Sequence, residues 1–141
     1  MKHQTTIVTQ CSLSGVGLHT GKSSNITFKP ARENSGIIFK RIDLVGEPQV
    51  AATLDNISAV AVRGTAIGSG QEKIYTIEHI MAVLSALSID NVIIEIDNNE
   101  PPVLDGSAHA IVNALQRAQT QELGAERQYI SSPRKIIYEC G

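Results

Sequence analysis

The chain reads as an α+β fold: a two-layer sandwich with a mainly antiparallel sheet and two helices packed on one of its faces. Three observations predict this. Short β-branched or alternating stretches recur from Gln4 to Asp97. Two other stretches, Thr76–Ser88 and the one opening at Ser107, repeat apolar residues at helical spacing. The connection between the early strand stretches is too short for a helical crossover, which favours antiparallel neighbours. With 141 residues, 42% of them hydrophobic, and five prolines, the chain suits one ordinary domain with a real core.

Charge and composition exclude some function classes. The net charge is −2, and the lysines and arginines are scattered rather than gathered in the basic stripe of a nucleic-acid binder. Aromatic stacking groups are few: Phe28, Phe39, Tyr75, Tyr129 and Tyr138. Cys11 and Cys140 lie far apart and lack a metal spacing, so reduced thiols are the simplest account. Met1–Thr6 has no apolar signal core and no run approaches a transmembrane segment, so a cytoplasmic protein is expected.

In chain order, Gln4–Gln10 has the β-branched character of a strand. In Leu13–Gly21, the closely spaced Gly15, Gly17 and Gly21 imply tight turns or close backbone approach, without the offsets of a phosphate loop. Ser24–Lys29 alternates with Ile26 and Phe28 on one side. Gly36–Ile42 reads as its antiparallel neighbour, and Leu44–Val50 as a loop. Thr53–Val60 and Val62–Ile67 read as short strands, the second turned back by Gly68–Gln71 into Lys73–Tyr75. Asn91–Asp97 is the clearest strand, stopped by Pro101 and Pro102. A second helix follows, with Ser107 as its N-cap and a stripe of Ile111, Ala114, Leu115 and Ala118. Residues 1–120 thus form the first unit, 121–133 a polar linker, and 134–141, with Lys135–Glu139, the first strand of a domain whose remainder is missing.

The first helix carries the chemistry. Ile77, Ile80, Met81, Leu84 and Leu87 make its buried face, with Thr76 as N-cap. Glu78 and His79 fall on the far side, followed by the small Ala82 and Ala86 where a surface helix would place long polar residues. The positive helix end favours a charged Glu78 and a neutral His79, the states of a general base beside a metal ligand. A first-turn glutamate with a structural histidine gives the same pattern. His19 reads either as a site residue or as a turn histidine. Asp105 either supports His79 from the turn before the second helix or merely makes that turn.

Four ordered blocks, Leu13–Gly21, Thr76–Ala82, Ile89–Asn91 and Glu100–Ala108, resemble a specific family. It is the zinc-dependent UDP-3-O-acyl-N-acetylglucosamine deacetylases of lipid A biosynthesis in Gram-negative bacteria. The resemblance covers the whole chain but only the N-terminal half of the family's protein. It implies that Glu78 is the general base and His79 one of three ligands to zinc (Zn). The other two ligands belong to a His-Lys-x-x-x-Asp motif in a second domain of the same protein, and that motif does not occur in this sequence. Leu18, His19, Val62, Arg63 and Asp105 match positions beside the site or the substrate. The resemblance further implies two similar α+β halves packed helix to helix, and so a partner for the strip of Ala82 and Ala86. On this reading the chain alone is inactive. The alternative is a non-catalytic α+β binding domain on a scaffold like that of ribosomal proteins. An exposed apolar helix face would also allow self-association of the chain.

Overall fold

The computed structural model describes residues 2–58, 64–129, 137 and 139. Its strands are β1 (His3–Ile7), β2 (Cys11–Val16), β3 (Ser23–Pro30), β4 (Ile37–Arg41), β5 (Gln49–Ala51), β6 (Val92–Ile96) and β7 (Thr120–Glu126). The helices are α1 (Glu78–Ala86) and α2 (His109–Ala118). Five strands form one sheet in the order β2-β3-β6-β4-β5, and β1 pairs with β7 in a separate ribbon.

The sheet is built around its most apolar strand. Val92, Ile94 and Ile96 of β6 are all fully buried. β3 runs antiparallel to β6, with Phe28 opposite Ile94, while β4 runs parallel to it, with Phe39 opposite Ile94. Val50 of β5 continues this row beyond Phe39. Such cross-strand aromatic and β-branched pairs are the unit of sheet stabilisation. The expected β3–β4 pairing is therefore corrected: β6 lies between them and takes a hydrogen-bonded neighbour on each side.

Both helices cover the face carrying Phe28, Phe39, Ile94 and Ile96, with Ile80, Val83, Leu84, Ile111 and Leu115 in the same core cluster. The opposite face is polar: Lys29 pairs with Glu95 at 2.7 Å, and Ser12 bonds Thr27 across β2 and β3. This division confirms a two-layer α+β sandwich. The predicted stripe of α2 is buried at all four positions. On α1, Ile77, Ile80 and Leu84 are buried as expected, and Val83 joins them.

Several elements differ from expectation. Leu54–Asn56 is a turn of 3-10 helix rather than a strand, with Ile57 bridging Ile67. Ile67 also bridges Ile74, which preserves the expected turn-back into Tyr75. Residues 121–126, read as the start of the polar linker, instead belong to β7, which pairs antiparallel with β1. The expected strand around Lys135–Glu139 falls largely on residues 135, 136 and 138, outside the described residues. Among the described residues, no helix is long and apolar enough to cross a membrane.

Candidate active site

The start of α1 is held from two sides. On one side, the Ile77 N–H donates to the Thr65 carbonyl at 3.2 Å, and the Thr65 N–H donates to Glu78 Oε2 at 2.9 Å. This exchange satisfies a backbone N–H that a helix start leaves unpaired and fixes the Glu78 carboxylate by one oxygen. Gly64 lies against the other oxygen: a Cβ built there would stand 3.3 Å from Glu78 Oε1.

On the other side is a buried carboxylate that sequence reasoning missed. Glu100 is completely buried. Its Oε1 accepts from the His19 N–H at 3.0 Å and from the Thr76 hydroxyl at 2.9 Å, and its Oε2 from the Thr20 N–H at 2.8 Å. Burial pushes its pKa up, but the hydrogen bonds from the Thr20 and His19 backbone and from the Thr20 and Thr76 hydroxyls outweigh this and hold it below the ordinary range. The turn that supplies the two N–H groups needs a glycine beside it, because a Cβ on Gly17 would stand 2.5 Å from Glu100 Oε2. Glu100 thus joins the 17–20 turn to the residue leading into α1. Its sequence signal was slight: it sits among asparagines and prolines that read as a strand stop, although it opens one of the four blocks.

Thr76 is accordingly not the N-cap. Its hydroxyl donates to Glu100, its φ is +57°, and the helix begins two residues later with Ile77 at the cap position. Donation to the carboxylate uses only the hydroxyl proton; the left-handed Thr76 backbone, unlike the extended one that a capping residue takes, is what keeps Thr76 out of the cap position.

The other expected site residues are distributed as follows. Glu78 and His79 are adjacent in the first turn of α1 and half-buried, and Ala82 and Ala86 lie exposed beyond them. Leu18 and His19 are exposed at the 17–20 turn, linked to α1 through Glu100. Asp105 is exposed, and its Oδ1 accepts from the Ser107 N–H at 3.0 Å and the Ser107 hydroxyl at 2.8 Å. Those bonds hold its carboxyl below the usual range. Ser107 in turn accepts from the His109 N–H at 3.2 Å, one residue before the cap position of α2. Val62 and Arg63 lie outside the described residues.

No group of three His, Cys, Asp or Glu side chains lies together among the described residues. His79 suits one ligand position, but catalytic zinc uses three protein ligands, so the described residues do not make a metal site by themselves.

The family model for LpxC, UDP-3-O-acyl N-acetylglycosamine deacetylase, matches residues 4–141. The chain belongs to this family. It is 45% identical over 128 residues to the bifunctional enzyme LpxC/FabZ of Chlorobaculum tepidum, covering 91% of this chain and 27% of that protein. It is 36% identical over 141 residues to the UDP-3-O-acyl-N-acetylglucosamine deacetylase of Idiomarina loihiensis, covering 100% of this chain and 46% of that protein. The chain therefore spans less than half the length of these LpxC relatives.

Proposed function

We propose that the chain is the N-terminal half of a zinc-dependent deacetylase that removes the N-acetyl group from UDP-3-O-acyl-N-acetylglucosamine. The observation that carries this reading is the Glu78–His79 pair at the start of α1, held by Thr65 in a chain of the LpxC family. Glu78 is the general base. With Oε2 engaged by the Thr65 N–H, Oε1 is the oxygen left to take a proton from the attacking water. The attack falls on the N-acetyl carbonyl, and acetate and the free amine depart. His79 contributes one ligand to zinc, and a second domain completes the set with its His-Lys-x-x-x-Asp motif. When bound, the ion supplies Lewis acidity.

In this reading Leu18, His19, Val62, Arg63 and Asp105 border the substrate or support the site. The exposed Ala82 and Ala86 strip faces the second domain. β7 pairs with β1 of the first unit, which supports a connection to the second domain that follows Glu126.

The test uses the protein extended through its second domain. Glu78→Ala should keep its metal and lose about 10²- to 10⁴-fold in turnover, the range for a general base. His79→Ala should lose metal, measured by elemental analysis. Normal turnover in both variants would refute the assignment.

A further inference from the structure

Glu100 has features that its place in the chain does not explain. It is completely buried, and no Lys, Arg or His pairs with it among the described residues. A buried carboxylate costs stability unless its oxygens are fully occupied. Here they are occupied by the His19 and Thr20 backbone N–H groups and the Thr20 and Thr76 hydroxyls, drawn from two segments 56 residues apart in sequence, His19–Thr20 and Thr76 (76 − 20). The neighbouring backbone repeats the connection. Gly17 bridges Pro102, Val103 donates to the Val16 carbonyl at 2.8 Å, and Tyr75 donates to the Asn99 carbonyl at 2.8 Å.

Thr76 adds the second feature. Its φ of +57° is unfavourable for a β-branched residue. Such conformations persist only where the surroundings over-determine them. The surroundings here are the Tyr75 N–H on Asn99, the Thr76 hydroxyl on Glu100 and the Ile77 N–H on Thr65. The chain turns at this left-handed residue and enters α1 two residues later, at Glu78.

We infer that Glu100 is a positioning residue for the proposed deacetylation: through the Thr76 hydroxyl it fixes the left-handed turn that aims Glu78 and His79, and through the His19–Thr20 backbone it holds the substrate-side turn against them. It touches neither substrate nor reacting atoms. Loss of the link leaves the core intact but lets the helix start and the 17–20 turn drift apart. A shift of about 1 Å in a reacting group costs on the order of 100-fold in rate.

This inference rests on the function proposed above, and the experiment separates the two. Kinetics would be measured with the two-domain protein and its UDP-sugar substrate for wild type, Glu78→Ala, Thr76→Val, Thr76→Ser and Glu100→Gln. Thr76→Val removes the hydroxyl at similar volume, and kcat should fall about 10- to 100-fold with less than about threefold change in KM. Metal content should stay at the wild-type level, and melting should stay well above the assay temperature. Thr76→Ser restores the hydroxyl and should recover kcat to within about threefold. Glu100→Gln, where it folds, should resemble Thr76→Val, and the combined variant should be no worse than either alone. If wild type is active and Glu78→Ala is not, yet Thr76→Val turns over normally, the positioning role is wrong. It is equally wrong if Thr76→Ser is as impaired as Thr76→Val. Inactive wild type would instead refute the proposed function.

Discussion

At the scale of single residues, the position with the most specific physical demand is Glu100. Its folded pKa lies below the ordinary glutamate value, so the folded chain binds the proton less readily than the unfolded one. Stability from this group is therefore complete above about pH 4.3, the unfolded value, and is lost as pH falls through the lower folded value. Glu100→Gln has no such titration and places an amide where only donors point. The variant should be less stable than wild type at pH 7, and the gap should narrow as pH drops below about 4. Urea midpoints measured across that range check it, and a gap independent of pH would contradict the charged state. The sequence held only part of this arrangement. The clustered glycines of Leu13–Gly21 announced close backbone approach, and Gly17 supplies it. The partner that approaches is an acid 83 residues further on (100 − 17), and no local pattern links the two.

Among the elements, legibility followed hydrophobic period. β6 and α2 bury one complete apolar set each, and their apolar positions could be read from the sequence alone. β7 could not, because Thr120–Glu126 has no apolar run: it is exposed or half-exposed throughout, and pairing with β1 rather than side-chain burial makes it a strand. The β4–β6 parallel pairing was equally hidden, since short connections bias the reading toward antiparallel neighbours while the centre of the sheet goes to the strand with the most apolar surface. The β1–β7 ribbon is secured by Asp90, whose Oδ2 accepts from the Thr5 N–H at 2.8 Å and pairs with Arg127 at 2.7 Å, just beyond β7. Asp90→Ala should leave the Thr5 N–H without that partner and destabilise the chain by about 1–3 kcal/mol. Faster amide exchange in β1 and β7 than in β6 would locate the loss. Uniform loss of protection would show that the ribbon does not open separately.

Taken whole, the molecule presents a folded scaffold that, on the function proposed above, carries part of a set of catalytic groups. The sheet and both helices bury a single core, so α1 is supported without help from another domain. The start of α1 is likewise braced within the chain, by Thr65 and through Thr76 by Glu100. What the described residues lack is a group of three side chains that could hold a metal ion. Fold and activity should therefore separate cleanly. The 141-residue chain alone should melt cooperatively, because its core is complete. After dialysis it should retain far less than one zinc per chain, because a single imidazole replaces the usual three ligands. It should also show no measurable release of acetate from the UDP-sugar. Adding the second domain, covalently or in trans, should restore metal binding and turnover together without raising the helix content of this half. Circular dichroism, elemental analysis and acetate release on the same samples make the comparison. Chelator-sensitive deacetylation by the chain alone would overturn it, since the described residues would then have to hold the metal without the missing ligands.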